Sequence, residues 1–167
     1  MKRGGIVIYN DPRAQTSVSC LPEMLGESFP DRKIYTATNN TFMRTLNENR
    51  AALAVIPGIW SEDSQYFDLM GGADGQKTLQ NFVSDGGILM TVCAGSYLIS
   101  QNTEYTPPWG RKRERNNQAA LFNAVARGPL QGMGMRPDGD EWYDGVHAVP
   151  VKFKTADGAW KETHIAY

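Results

Sequence analysis

The chain has 167 residues, 41% of them hydrophobic and 21% charged, with a formal net charge of -1. That length suits one domain with its own core, so 1–167 is expected to be a single domain without structural metal or disulfides. A near-neutral balance provides no field for nucleic acid or an anionic membrane, and no apolar run reaches the roughly 18 to 20 residues that span a bilayer.

The amino terminus passes from two basic residues into a short β-rich segment, too short for a signal-peptide core. Cys20 and Cys93 lie far apart with no CxxC or Cys/His spacing. Neither a disulfide framework nor a metal site is expected, and a reducing cytoplasm is the default compartment. No cofactor is implied, and the expected partner is a small-molecule substrate or ligand, with an oligomer compatible.

In chain order, Gly5 to Tyr9 reads as a buried strand stopped by the turn-forming Asn10-Asp11-Pro12. Thr16 to Phe29 places Val18, Leu21, Met24 or Leu25, and Phe29 near helical spacing, with Pro22 in a first turn or at a bend. Lys33 to Ala37 reads as a strand and Thr41 to Asn49 as a short helix. Ala51 to Ile56 is an apolar strand ended by Pro57-Gly58, of the kind found in parallel sheets covered on both faces. Asp74 to Asp85 carries Leu79, Phe82 and Val83 on one helical face and ends at Gly86-Gly87. Ile88 to Val92 reads as the next buried strand.

From about Asn102 the texture changes. The segment TEYTPPWGRKRERNN reads as a polar loop, and VPVKFKTADGAWKETHIAY as two strands around an Asp157-Gly158 turn. The basic run Arg111, Lys112, Arg113 and Arg115 reads as a solvated loop rather than a phosphate or nucleic-acid contact. The predicted architecture is an α/β three-layer sandwich with a mostly parallel sheet and an antiparallel or irregular carboxyl-terminal part. The strand pattern runs up to Tyr167, which is compatible with a longer natural chain.

The segment Gly86 to Ser100, GGILMTVCAGSYLIS, places one cysteine at a strand end, followed by two small residues and a helix. In open α/β sheets ligands bind at the carboxyl ends of the strands. A nucleophile on a sharp strand-to-helix turn needs small neighbours for close packing, and Ala94 and Gly95 supply that room. Cys93 is therefore a candidate nucleophile, with the helix amino terminus favouring thiolate over thiol. Ala94 N–H and Ile59 N–H, just after Pro57-Gly58, are candidate oxyanion donors. A plainly buried thiol is the competing reading, since cysteine is among the residue types most often buried. Cys20, in an amphipathic pattern without a strand end, reads as core or surface packing rather than chemistry.

Four stretches, IVIYND, AVIPG, FVSDGGILMTVCAGSY and ARGPL, occur in an order that resembles the biotin–protein ligase amino-terminal domain family, of the class I glutamine amidotransferase-like and PfpI-type superfamily. The resemblance implies a flavodoxin-like sandwich with Cys93 at the position of the superfamily's nucleophile. It does not imply biotin ligase activity, which belongs to a separate adenylate-binding domain. The family commonly has a second glycine after PG, where this chain has Ile59-Trp60.

Amidotransferases of this kind also need a histidine base. His164 is the better placed candidate, followed by Ile165-Ala166-Tyr167 rather than Pro-Glu; His147 is the weaker one, and an ordinary surface or packed histidine is the alternative for both. Asp11, after the first strand, either contacts the thiol or a ligand amine, or caps its own turn. Gly58, Trp60, Gly95 and Ser96 are candidate substrate-lining residues. Tyr66, Tyr97 and Trp109 read either as pocket or as core. The leading expectation is a cysteine-dependent amidotransferase or hydrolase acting on a small amide or peptide-like carbonyl. The alternatives are a non-catalytic binding or regulatory domain and a cysteine redox sensor.

Overall fold

The computed structural model describes residues 4–10, 18–38, 41–58, 72–106, 112–116, 120–128, 148–155 and 157–166. The chain divides into two compact units, Met1–Arg127 and Gly128–Tyr167.

The first unit begins with alternating strands and helices: β1 (Ile6–Tyr9), α1 (Leu21–Ser28), β2 (Ile34–Ala37), α2 (Phe42–Glu48), β3 (Leu53–Ile56), α3 (Gly72–Ser84) and β4 (Ile88–Thr91). The four strands form a parallel sheet in the order β2-β1-β3-β4. Parallel strands need a crossover between them, and the helices supply it. The expected α/β architecture is thus observed, with bounds within a few residues of those read from the sequence.

Side-chain alternation along the strands separates two cores. Val7, Tyr9, Ala54 and Ile56 point to a face packed by Phe42 and Leu46 of α2, Leu79 and Phe82 of α3, and Leu98. Ile6, Ile8 and Val55 point to the opposite face, against Val18 and Leu25. Helices on both faces explain why β1 and β3 read as unbroken apolar runs: alternate residues have different helices to bury against. Tyr9 and Phe42 meet edge to face at 5.3 Å between ring centroids.

Local chemistry sets the helix ends. Pro22 sits in the first turn of α1, where its missing N–H breaks no intrahelical bond. After α3 the chain reverses at Gly86, whose φ of +84° suits glycine.

β4 departs from the expectation of a buried strand. It is the last strand of the sheet among the described residues, and its Ile88 and Met90 are exposed. Register explains this: Ile88 and Met90 pair with Leu53 and Val55, so they extend the face that α1 covers only over the inner strands.

The stretch after Cys93 also differs from the polar loop expected from Asn102 onward. A short helix, α4 (Ala94–Ile99), leads directly into β5 (Ser100–Tyr105). With β6 (Arg113–Asn116) and β7 (Phe122–Gly128) it forms a three-stranded sheet ordered β6-β5-β7, in which β5 and β6 are antiparallel. Its polar sequence reflects ion pairing on an exposed surface. Arg127 donates from Nε to Glu104 Oε2 at 3.0 Å and from its second fork nitrogen to Oε1 at 3.4 Å, while Lys112 Nζ lies 3.1 Å from Glu104 and 2.5 Å from Glu114. Hydrogen bonds from Arg127, then Lys112, hold the Glu104 carboxyl below its ordinary range. Hydrogen bonds to Glu114, then Glu104, raise Lys112. Lys112 is thus engaged on a solvated surface.

In the second unit, β8 (Ala148–Lys154) and β9 (Trp160–Ala166) form the expected antiparallel hairpin, with Ala148 opposite Ala166 and Lys154 opposite Trp160. Its turn is fixed by Gly158 at φ +85° and by the Thr155 hydroxyl, which donates to Asp157 and to the Ala159 carbonyl. The Thr155 hydroxyl, first, and the Ala159 N–H hold the Asp157 carboxyl below its usual range.

Candidate functional site

Cys93 stands between the end of β4 and the start of α4, where the strand direction must be converted into a helix direction within two residues, Val92 and Cys93. Its backbone takes φ 51° and ψ -117°. A residue with a Cβ pays about 1–3 kcal/mol for such a backbone, so the surrounding structure has to hold it there. The sharp turn inferred from the sequence is therefore present in the backbone, and Cys93 is exposed rather than buried in the core.

The fixings of this turn are visible on both sides. Val92 N–H donates to the Ile56 carbonyl at 3.0 Å, tying the end of β4 to the end of β3. One turn later, α4 crosses so close to the same carbonyl that a Cβ on Gly95 would lie 2.7 Å from Ile56 O. Only glycine fits at that approach. Gly95 N–H donates to Val92 O and Ser96 N–H to Cys93 O, both at 2.9 Å, closing the first turn of α4. Ala94, the first helical residue, keeps its N–H outside the intrahelical ladder and beside the sulfur-bearing residue.

α4 has six residues. That is too short for the macrodipole expected at the sulfur to be substantial, because the dipole grows with the number of aligned peptides. The electrostatic assistance available from this helix reduces to local N–H groups.

The structure brings Cys93, Ala94, Gly95 and Ser96 together at the carboxyl end of the sheet with the Pro57-Gly58 turn, which is buried and directly follows Ile56. Asp11, Ile59, Trp60, Tyr66, Trp109 and His147 lie outside the described residues. His164 sits exposed in β9 of the second unit, opposite Pro150. Cys20 occupies the N-cap position of α1 without a side-chain capping bond and is exposed, which agrees with surface rather than core packing.

Sequence reading missed the support behind α4. Thr103 Oγ1 donates to the Tyr97 carbonyl at 3.0 Å, Ser100 Oγ to the Ser96 carbonyl at 2.9 Å, and the Tyr97 and Tyr105 rings meet edge to face at 6.0 Å. Tyr97 is thus a packing residue against β5. The sequence signal was available in the alternation of Thr103 and Tyr105, but the polar residues around them concealed a strand.

Among the described residues, no group of three or more His, Cys, Asp or Glu side chains comes together to hold a metal. No helix among them is long and apolar enough to cross a membrane. A cleft of about 450 Å³ opens between α2 and α3, lined by Leu46, Asn47, Arg50, Thr78, Asn81, Phe82 and Asp85. Those residues lie at the helix ends that lead into β3 and β4, at the amino end of the parallel sheet. The cleft therefore does not serve Cys93, which is at the carboxyl end.

The chain is similar to an uncharacterized protein of Chlamydia muridarum (strain MoPn / Nigg), with 27% identity over 81 residues. That match covers 42% of this chain and 31% of the relative, so the chain spans less than a third of that protein's length in the match. The profile of a family described as biotin-protein ligase, N terminal, matches residues 5–153, a span that contains the parallel sheet, the Cys93 turn and most of β8. The chain belongs to the biotin-protein ligase N-terminal family.

Proposed function

We propose that this chain is an amidotransferase-like or hydrolase-like domain in which Cys93 is the nucleophile toward a small amide or peptide-like carbonyl. The observation that carries the reading is the backbone of Cys93, held at φ 51° and ψ -117° on an exposed strand-to-helix turn. Strain of this kind is retained where the surroundings over-determine it, and such positions cluster at functional sites.

In the proposed reaction the Cys93 thiolate attacks the carbonyl carbon, and the electron pair of the C=O bond moves to oxygen. Ala94 N–H faces that oxyanion, with Ile59 N–H as the proposed second donor. The C–N bond then breaks, the amine leaves with the proton that the thiol gave up, and water hydrolyses the thioester. His164 is the proposed carrier of that proton, with Asp11 a proposed contact for the thiol or ligand amine. Gly58, Trp60, Gly95 and Ser96 are the proposed lining of the substrate site. Biotin ligation is not part of the proposal.

Ammonia release from glutamine and from a series of small primary amides tests it, with Cys93→Ala as the comparison. A Cys93-dependent rate supports the reading; equal background release from both proteins refutes it for those substrates.

The exposure of Cys93 also favours a second reading, a redox sensor. There the thiolate attacks a peroxide oxygen, the O–O bond breaks, and sulfenate and water or an alcohol result. Mass spectrometry after mild peroxide treatment, with Cys20 as the internal comparison, separates this reading from the first.

A further inference from the structure

We infer that Cys93 and the backbone nitrogen of Ala94 form a site of reversible covalent modification, closing into a cyclic sulfenamide after oxidation by a peroxide. The inference rests on the redox reading of Cys93 and names the product in which that oxidation ends. The ring consists of Sγ, Cβ, Cα and the carbonyl carbon of Cys93 together with the Ala94 nitrogen.

A small ring of this kind is nearly flat, so Cβ has to lie close to the plane of the Cys93-Ala94 peptide, on its nitrogen side. About the Cα–C bond of an L-residue, Cβ stands roughly 120° from that residue's own nitrogen, so the alignment occurs at ψ of roughly -120°. Helices and strands are far from it, at ψ of about -42° and about +135°. Cys93 has ψ -117°. Its backbone therefore already holds Cβ in line with the Ala94 nitrogen, and rotation about Cα–Cβ alone brings Sγ to that nitrogen. Both sides of the turn are fixed, by the Val92 N–H on the Ile56 carbonyl and by the approach of Gly95 to the same carbonyl. Ala94 is the first residue of α4, so closing the ring breaks no hydrogen bond of the helical ladder.

Cys20 provides the contrast within the same chain. It is also exposed and also precedes a helix, but its ψ is -19°. Reaching the aligned geometry takes a rotation of about 100°, from -19° to near -117°. That rotation swings away the Cys20 carbonyl, which accepts from Met24 N–H at 3.0 Å in the first turn of α1.

The chemistry balances in two steps. The Cys93 thiolate attacks a peroxide oxygen, the O–O bond breaks, and a sulfenic acid and water or an alcohol result. The Ala94 nitrogen then attacks Sγ, the S–N bond forms, the S–O bond breaks, and the hydroxyl leaves as water with the N–H proton. The ring occupies both the proposed nucleophile and the Ala94 donor, so the site is switched off without passing to the irreversible sulfinic acid. A thiol reverses it by attacking Sγ, which returns the proton to the nitrogen and leaves a mixed disulfide for a second thiol to reduce.

Hydrogen peroxide added to the dilute full chain in a Cys20→Ser background, followed by peptide mass spectrometry, tests the inference. Removing Cys20 excludes a disulfide between the two cysteines, which would change the mass equally. The Cys93-Ala94 fragment of the folded protein is expected to lose two hydrogen atoms and to regain them with dithiothreitol. The same chain oxidised in urea is expected to gain oxygen at Cys93 instead, as is Cys20 in folded Cys93→Ser. Oxygen gain at Cys93 of the folded chain without hydrogen loss overturns the inference and leaves the redox reading standing. A Cys93 that peroxide leaves unchanged refutes both. Equal hydrogen loss in folded and unfolded chains, or at Cys20, also overturns the inference, because the backbone alignment would then be immaterial.

Discussion

Ile8 and Ile88 are the same residue type in parallel strands of one sheet, yet Ile8 is fully buried and Ile88 is 65% exposed. β1 and β3 lie inside the sheet, and their side chains pack into buried clusters on both faces. β4 is held on one side by β3 and ends in the strained turn at Cys93. The inner strands supply the stability, and the outer strand uses part of it to hold an unfavourable backbone in place. The strained turn is thus placed where the described part of the sheet is least covered.

The contrast is broken most strongly at Ile8. Ile8→Ala is expected to cost about 2–5 kcal/mol, as truncations of fully buried aliphatic side chains do. Ile88→Ala is expected to stay within about 0.5 kcal/mol, as exposed substitutions do. Urea unfolding of the two variants measures both, and equal losses would erase the distinction between the strands.

The next effect is at the junction itself. Gly95→Ala drives a methyl group toward the Ile56 carbonyl, so about 1–3 kcal/mol of overpacking cost is expected. The same variant is expected to slow modification of Cys93, because relieving the clash requires α4 to move away from β3.

A smaller effect isolates the strain. Cys93→Gly removes the Cβ at φ 51°, whereas Cys93→Ala retains it. The glycine variant is expected to be more stable than the alanine variant by about 1 kcal/mol, read from denaturation midpoints. The opposite order would show that the turn is unstrained.

The smallest effect lies away from this junction, on β5. Arg127 and Lys112 lower the folded pKa of Glu104, so its contribution to stability is present above the unfolded pKa and is lost as pH falls through the folded value. Glu104→Gln is expected to remove that acid-limb dependence with little change at neutral pH, since exposed ion pairs contribute little. Denaturation midpoints of both proteins followed downward in pH measure it.

Sequence alone revealed β1, β3 and the helices between strands because their apolar spacing answers directly to two covered faces. It also located the turn at Cys93, since Ala94-Gly95 can be explained by close packing. It read β4 as buried, whereas Ile88 and Met90 are exposed, because an apolar run reads identically whatever comes to cover it; strand order among the described residues decides, and order is a long-range property. It missed β5 and β6 for the reverse reason. Their exposed faces carry charged residues that meet only in the fold, such as Glu104 with Lys112 and Arg127, so the segment shows no apolar alternation to read as strands. The contact of Gly95 with Ile56 joins residues far apart in the chain, so the sequence pointed to a small residue without naming what it approaches.

The central claim is that the turn makes Cys93 reactive, and the chain holds its own control in Cys20, which is also exposed. Iodoacetamide alkylation of the two thiols in the same folded protein at neutral pH, followed by peptide mass spectrometry, compares them directly. Cys93 is expected to label at least tenfold faster than Cys20, about 1.4 kcal/mol in barrier, with the difference lost on unfolding. Equal rates in the folded protein would contradict the account.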